Sequence, residues 1–409
     1  MLISISQAID QVLAAVSPSP PEDVDLLEAL GRTLAADLAS PDDVPPFDNS
    51  AMDGFALQAA DQAGERPRLR VVAEIPAGHM MRGTLPAGAA AKIMTGAPLP
   101  DGADSVVPVE ATESDGATVV VLRAVQEGAN VRRAGEDVRR GDVLVRAGQV
   151  IGAARLGILA SAGLARVRVA RRPRVAILAT GSELVAVEAQ PGPGQIRNSN
   201  SCTAFGQALE AGAEPVLLGV ARDDAEETRE LLRSALEHDV IVTSGGVSVG
   251  EFDFVKAVQE ELGVERRFWG VRTKPGKPLA FGTYQDKPVF GVPGNPVAAM
   301  VTFEMYVRPA LLKMLGRPDI WRPWIEGTAE EPVRRAKDRA ELRRCRLRQV
   351  DGRWLFATTG PQGSGILSSM AVADGLALVP TGFPGAAAGT TLPVMLLSGS
   401  ATERPPFPD

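Results

Sequence analysis

Apolar residues recur at helical spacing in two stretches near the start of the chain. SQAIDQVLAAV (6–16) carries one apolar face, and PEDVDLLEALGRTLAADL (21–38) opens on proline and acids, as helix starts do. Both are expected to be helices. SPDDVPPFDNSAMDGFAL (40–57) is too rich in Pro, Asp, Asn and Gly for regular structure and is expected to be a linker. From about 55 to 138 the pattern shortens to β-rich runs: RLRVVAEI, DSVVPVEAT and TVVVLRAV, the last two separated by the turn ESDGA. A small β domain inserted in the chain is the expectation.

GAARLGILASAG (152–163) has a helical pattern stopped by Gly163. Beyond it, apolar runs and amphipathic runs alternate. PRVAILATG, EPVLLGVA and DVIVTSGG read as strands, while SCTAFGQALEAGA, DDAEETRELLRSALEHD and DFVKAVQEELG read as helices. Such alternation with short connections predicts a parallel sheet covered by helices. PLAFGTYQDKPVFGVPG reads as a hairpin, followed by the long helix PVAAMVTFEMYVRPALLKMLG. From about 320 the strand pattern returns in AELRRCRLRQV, RWLFATT, GLALVP and TLPVMLL. The predicted organisation is α/β and β multidomain. An N-terminal elongated domain spans 1–46 plus 139–171, the inserted β domain 47–138, an α/β domain 172–319 and a C-terminal β domain 320–409.

Composition narrows the function. A chain of 409 residues exceeds the usual size of one hydrophobic core. Aromatic residues make up 4% and the formal charge is −7, which argues against a nucleic-acid surface built on stacked bases and basic patches. Cys202 and Cys345 are far apart, so neither a disulfide framework nor a cysteine zinc site is expected. MLISISQAID lacks the pattern of a secretory signal, and no apolar run reaches membrane-spanning length. A cytoplasmic location, away from membranes, is the expectation. With only His79 and His238, both in positions that suit structural roles, a Ser–His or Cys–His nucleophile pair is not expected.

Ligands of open α/β sheets sit beyond the carboxyl ends of the strands. TGSEL, SGGVSVGEFDF and PGNP occupy such positions. Gly245 and Gly246 suit either an ordinary turn or close approach to an anion. In KPGKP (274–278), Lys274 and Lys277 are held in a turn by two prolines, which suits convergence on a phosphate or oxyanion. Asn295 and Pro296 fit a helix cap and first helical position, and that helix end also favours anions. The carboxylates Asp53, Asp137, Glu183, Asp223, Glu251 and Asp253 each have a plain structural reading: turn former, surface charge, or N-cap and first-turn acid. Their shared habit of sitting in Gly-rich turns favours one acidic pocket. A magnesium ion between carboxylates and phosphate would reconcile the two charges.

PPFDNSAMDGFAL, KIMTGAPLPDGADSVVPVE, RRAGEDV, ILATGSEL, TSGGVSVGEFDF, KPGKPLAFG and GVPGNPVAAMVTFE occur in that order. Together they resemble the molybdopterin molybdenumtransferase family, to which the E domain of gephyrin belongs. The resemblance runs from about residue 1 to 400. It implies hydrolysis of adenylylated molybdopterin with Mg2+, molybdate as the metal source and AMP as a product. It also implies an elongated homodimer of four-domain chains, with a central molybdopterin-binding α/β domain and a barrel-like C-terminal domain. Contact with the molybdopterin adenylyltransferase and with acceptor molybdoenzymes is further implied.

Carried over by motif, Asp53 and Thr95 face the cleft from the inserted domain, with Asp137 at its base. Glu183, Asp223 and Asp253 are the catalytic acids and metal ligands of the α/β domain. Substrate contacts fall on Gly245, Gly246, Ser248, Lys274, Lys277, Pro293, Asn295, Pro296 and a serine of the C-terminal domain, Ser364, with Ser368 and Ser369 as alternatives. One departure is FWGV, where Gly270 stands in place of a lysine frequent in the family and Arg272 offers a charge two residues on. A gephyrin-like scaffold would keep the fold without turnover. The adenylylation step is a third reading, disfavoured by NSAMDG and MTGAP. Molybdate-dependent AMP release separates these.

Overall fold

The computed structural model of the chain describes residues 2–222, 224–245, 253–405 and 407, and for residues 253–256 the backbone alone. Ser4 and Gln7 form a reciprocal capping box that starts the helix Ile5–Ala14. Its buried face, Ile5, Ile9 and Val12, enters the same core as Val175, Phe268 and Tyr306 of the α/β region.

The second expected helix is not one. Pro21–Asp25 is a strand paired antiparallel with Arg166–Ala170, and only Leu26–Ala29 turns, as a single 3-10 stretch. Glu22 and Val24 are partly covered while Asp23 and Asp25 are not, so the operative period is two. Proline and acids, which look like a helix start, also suit a short ribbon whose outer positions face water. Ala29, Leu34, Ile151, Leu159 and Val167 make the small core beneath.

The expected linker ends in a strand. Gly54–Leu57 is buried throughout and lies inside a six-stranded sheet. The sheet order is Ser105–Pro108, Gly54–Leu57, Ala89–Ile93, Arg68–Ile75, Thr118–Val121, Thr112–Ser114. Any side chain at Gly54 would overlap the carbonyl of Val107 on the next strand, so glycine here serves close pairing rather than looseness.

The central sheet runs Glu214–Ala221, Arg174–Thr180, Val240–Ser244, Lys287–Val292, Ala280–Tyr284, Glu265–Trp269. The first four strands are parallel and the hairpin continues them antiparallel. The long helix begins at Pro296–Thr302, passes a π-helical turn at Phe303–Val307 and ends as Arg308–Met314. In that turn the buried Glu304 carboxylate accepts from Gln207 Nε2 at 3.0 Å and Arg322 Nε at 2.9 Å, tying two helices to the chain that leaves for the C-terminal region.

That region is a closed barrel of Trp324–Ala329, Ala340–Val350, Arg353–Thr358, Gly375–Val379 and Thr391–Leu396. Closure comes from Ala340–Val350 pairing with both Arg353–Thr358 and Gly375–Val379. Thr273–Lys274, from the lysine loop, adds to its edge in register with Ala340 and Glu341. Among the described residues no helix is long and apolar enough to cross a membrane.

Candidate active site

Three strand ends of the central sheet meet. Gly245 has φ +89°, and a Cβ there would lie 2.5 Å from the Thr180 carbonyl oxygen, so the turn after Val240–Ser244 admits only glycine. A Cβ on Gly294 would in turn sit 3.7 Å from the Gly245 Cα. Asn200 Nδ2 donates to the Gly294 carbonyl at 2.8 Å, while its buried Oδ1 has no partner. The Glu183 carboxylate folds back over Gly181, whose missing side chain makes the space.

Beside these ends lies a cavity of about 550 Å³ between the α/β region and the barrel. The sheet side contributes Lys274, Lys277, Pro293 and Asn295; the barrel side contributes Arg339, Glu341, Arg343 and Arg344, with the loop of Gln362 and Ser364. Lys274 Nζ meets Glu341 Oε1 at 3.0 Å, and Arg343 reaches Glu341 Oε2 through Nε and Nη2 at 3.0 and 2.9 Å. Lys277 makes no ion pair among the described residues. Arg339 Nε is buried without a hydrogen-bond partner and lies 3.7 Å from Oδ2 of the exposed Asp338.

Arg344 is 1% exposed and faces no carboxylate. Its Nε donates to Ser369 Oγ at 2.6 Å and its Nη2 to the carbonyls of Pro361 and Gly363 at 3.2 and 3.1 Å. Burial lowers its pKa. Gln362 bonds both backbone groups of Arg344, accepting from N at 2.9 Å and donating to O at 3.2 Å, so the loop is stitched to the barrel strand. The Ser364 carbonyl then accepts from Val297 N at 3.0 Å across the cavity mouth. The guanidinium is thus compensated by neutral acceptors alone among the described residues, which leaves a net positive charge at this wall.

Of the three candidate serines, Ser364 lines this cavity, and Ser369 is committed to Arg344 and to the Ile366 carbonyl. Asn295 stands at the helix N-cap with Pro296 next, yet its side chain makes no capping bond and lines the cavity instead. The two lysines do not converge freely on one point, because Glu341 holds Lys274.

Asp53 and Thr95 come together elsewhere, within the inserted β region. Asp53 Oδ1 accepts from Thr95 N and Oγ1, both at 2.7 Å, and the backbone donor first, then the hydroxyl, hold its carboxyl below the usual range. Asp137 is exposed, with its backbone N donating to Val44 O at 3.1 Å. Neither Asp53, Thr95 nor Asp137 lines the cavity. Among the described residues no three His, Cys, Asp or Glu side chains form a metal-sized group.

Asp223, Gly246, Ser248, Glu251 and the side chain of Asp253 lie outside the described residues. The N-cap of Ala225–Leu236 is Asp224, which accepts from Glu226 N and Glu227 N, so that structural role does not fall on Asp223. His238 is buried with Nδ1 3.1 Å from the Ser234 carbonyl. Gly270 has φ +88°, a left-handed backbone that would strain a lysine, and its Cβ would also have to displace Leu2 Cδ2, 2.5 Å away. Arg272 is exposed.

Reading the sequence missed Arg339, Glu341, Arg343, Arg344 and Gln362. The signal was present in AELRRCRLRQV, where adjacent arginines in a strand must point to opposite faces and one of them inward.

Comparison with known proteins bears on all of this. Family models match as MoeA N-terminal region (domain I and II) over residues 3–163, probable molybdopterin binding domain over 176–313, and MoeA C-terminal region (domain IV) over 326–397. A molybdopterin molybdenumtransferase of Staphylococcus epidermidis is 33% identical over 98% of this chain and 97% of its own. Molybdopterin molybdenumtransferase 2 of Mycobacterium tuberculosis is 38% identical over 91% of this chain and 94% of its own. A crystal structure of the molybdopterin biosynthesis moeA protein from Pyrococcus horikoshii superposes with a TM-score of 0.85, at 33% identity, over 98% of this chain and 100% of that one. With near-complete coverage by relatives of a single kind, and the same domains matched in the same order, the chain is an enzyme that belongs to the molybdopterin molybdenumtransferase family.

Proposed function

We propose that this chain inserts molybdenum into molybdopterin, hydrolysing adenylylated molybdopterin in the presence of Mg2+ and molybdate to give molybdenum cofactor and AMP. Family membership carries the coarser statement, a role in molybdenum cofactor biosynthesis. The observation that supports the finer one is the cation-lined cavity beside the glycine-only turn at Gly245. Both substrates are anions, and the cavity offers Lys277, which makes no ion pair among the described residues, with Arg339 and Arg344 for an oxyanion. Ser364 and Asn295 add neutral polar groups at its wall, and Pro293 and Pro296 keep the sheet side stiff.

Glu183, Asp223 and Asp253 are proposed to hold Mg2+. Glu183, the one whose side chain is described, presents a hard oxygen donor at the strand ends, as does the unpartnered Asn200 Oδ1, which suits that ion. The ion would supply charge neutralisation on the phosphoryl oxygens. Asp53, ionised and fixed by Thr95, is proposed to close the site with Asp137 from the neighbouring subunit of a homodimer. A cytoplasmic location and transient contact with the adenylyltransferase and acceptor enzymes complete the proposal.

The test is AMP release from adenylylated molybdopterin with molybdate and Mg2+. Wild type should release AMP in a molybdate-dependent way, and Lys277→Ala should lose at least tenfold in kcat/KM. Release equal with and without molybdate would remove the assignment.

A further inference from the structure

The cavity contains five cationic side chains and, among its lining residues, a single carboxylate. That carboxylate is fully engaged. Glu341 Oε1 meets Lys274 at 3.0 Å, and Oε2 takes the Arg343 fork at 2.9 and 3.0 Å. The pairing is built into the backbone, because Thr273–Lys274 lies parallel to Ala340 and Glu341 with Lys274 and Glu341 as register partners. The Glu341 side chain is 16% exposed, so its charge acts where solvent screens it weakly. On the other side, Lys277 and Arg344 make no ion pair among the described residues, and Arg339 meets only the solvent-exposed Asp338, at 3.7 Å and outside the cavity wall.

We propose that Glu341 is an internal counter-anion that sets how firmly the cavity holds an oxyanion, by keeping Lys274 and Arg343 out of the binding set. The proposal rests on the cavity being the oxyanion site argued above. Five converging cations would grip any tetrahedral dianion, including abundant phosphate and sulfate, and would release it slowly. One carboxylate shared by two of them leaves a smaller set for the ligand and keeps exchange fast. A simple strut between lysine loop and barrel predicts something different: removing its charge would loosen the fold without tightening anion binding.

Isothermal titration of the full-length protein with molybdate and with sulfate, at fixed ionic strength, separates these. Glu341→Gln keeps the shape and one acceptor. It should bind both anions about tenfold tighter or more than wild type, with a steeper salt dependence. Its unfolding midpoint without anion should fall and should rise further than that of wild type when molybdate is added. Unchanged or weaker affinity in folded Glu341→Gln overturns the proposal. If that variant does not fold, Lys274→Gln serves: it leaves Glu341 half-compensated and should weaken molybdate binding, and unchanged affinity overturns the proposal. Weaker binding in Lys277→Ala together with no change in Glu341→Gln removes this inference alone. No saturable molybdate binding by wild type removes the cavity assignment as well.

Discussion

Asp53 owes its lowered pKa to one neighbour, which gives through its backbone and its side chain at once. Thr95→Val keeps the backbone donor and removes the hydroxyl, so the Asp53 pKa should move up toward the ordinary carboxylate value without reaching it. A carbon-detected NMR titration measures this, and no movement would mean that the hydroxyl bond contributes nothing. The sign for stability follows. A folded-state pKa below the unfolded one gives a contribution that is present above the unfolded value and lost as pH falls through the folded one. At neutral pH the carboxylate stays ionised in the variant, so any activity loss there reflects positioning and not protonation. Ser369 works on the same scale. Ser369→Ala leaves the buried Arg344 Nε without an acceptor and should cost about 1–3 kcal/mol.

Individual elements show where sequence pattern sufficed and where it did not. The strand–helix alternation from Arg174 to Met314 was readable because buried parallel strands are continuous apolar runs and their helices have one polar face. The Pro21–Asp25 ribbon was not readable, since proline and acids carry the same message at a helix start and on a half-exposed strand. Gly54–Leu57 was hidden by the turn-forming residues before it. Of the candidate site, the lysine loop could be found through its prolines, whereas the arginines of Ala340–Val350 showed only as an adjacent pair in a strand, and that they face this cavity depends on barrel closure. The π-helical turn makes a prediction at this scale. Glu304→Ala would leave Arg322 and Arg308 buried without their carboxylate and should destabilise the protein by about 3–5 kcal/mol in denaturant unfolding. A loss below about 1 kcal/mol would mean that the network is loosely held.

At the scale of the whole molecule, the cavity exists only where two regions meet: neither the sheet ends nor the barrel alone supplies its cations. The lysine loop is a barrel strand in all but sequence position, and the Ser364–Val297 bond closes the other side. The helix Ile5–Ala14 adds a third participant, since its apolar face fills the core that also holds Phe268 and Tyr306. Cutting the chain at its family-model borders, to make residues 176–313 alone, therefore removes not a neighbour but a piece of the interior. Such a fragment would present a fresh greasy trough to solvent. It should self-associate on gel filtration, and a synthetic peptide of residues 2–16 added in trans should lessen this without abolishing it, because Trp321, Leu342, Met370 and Leu376 fill the same core.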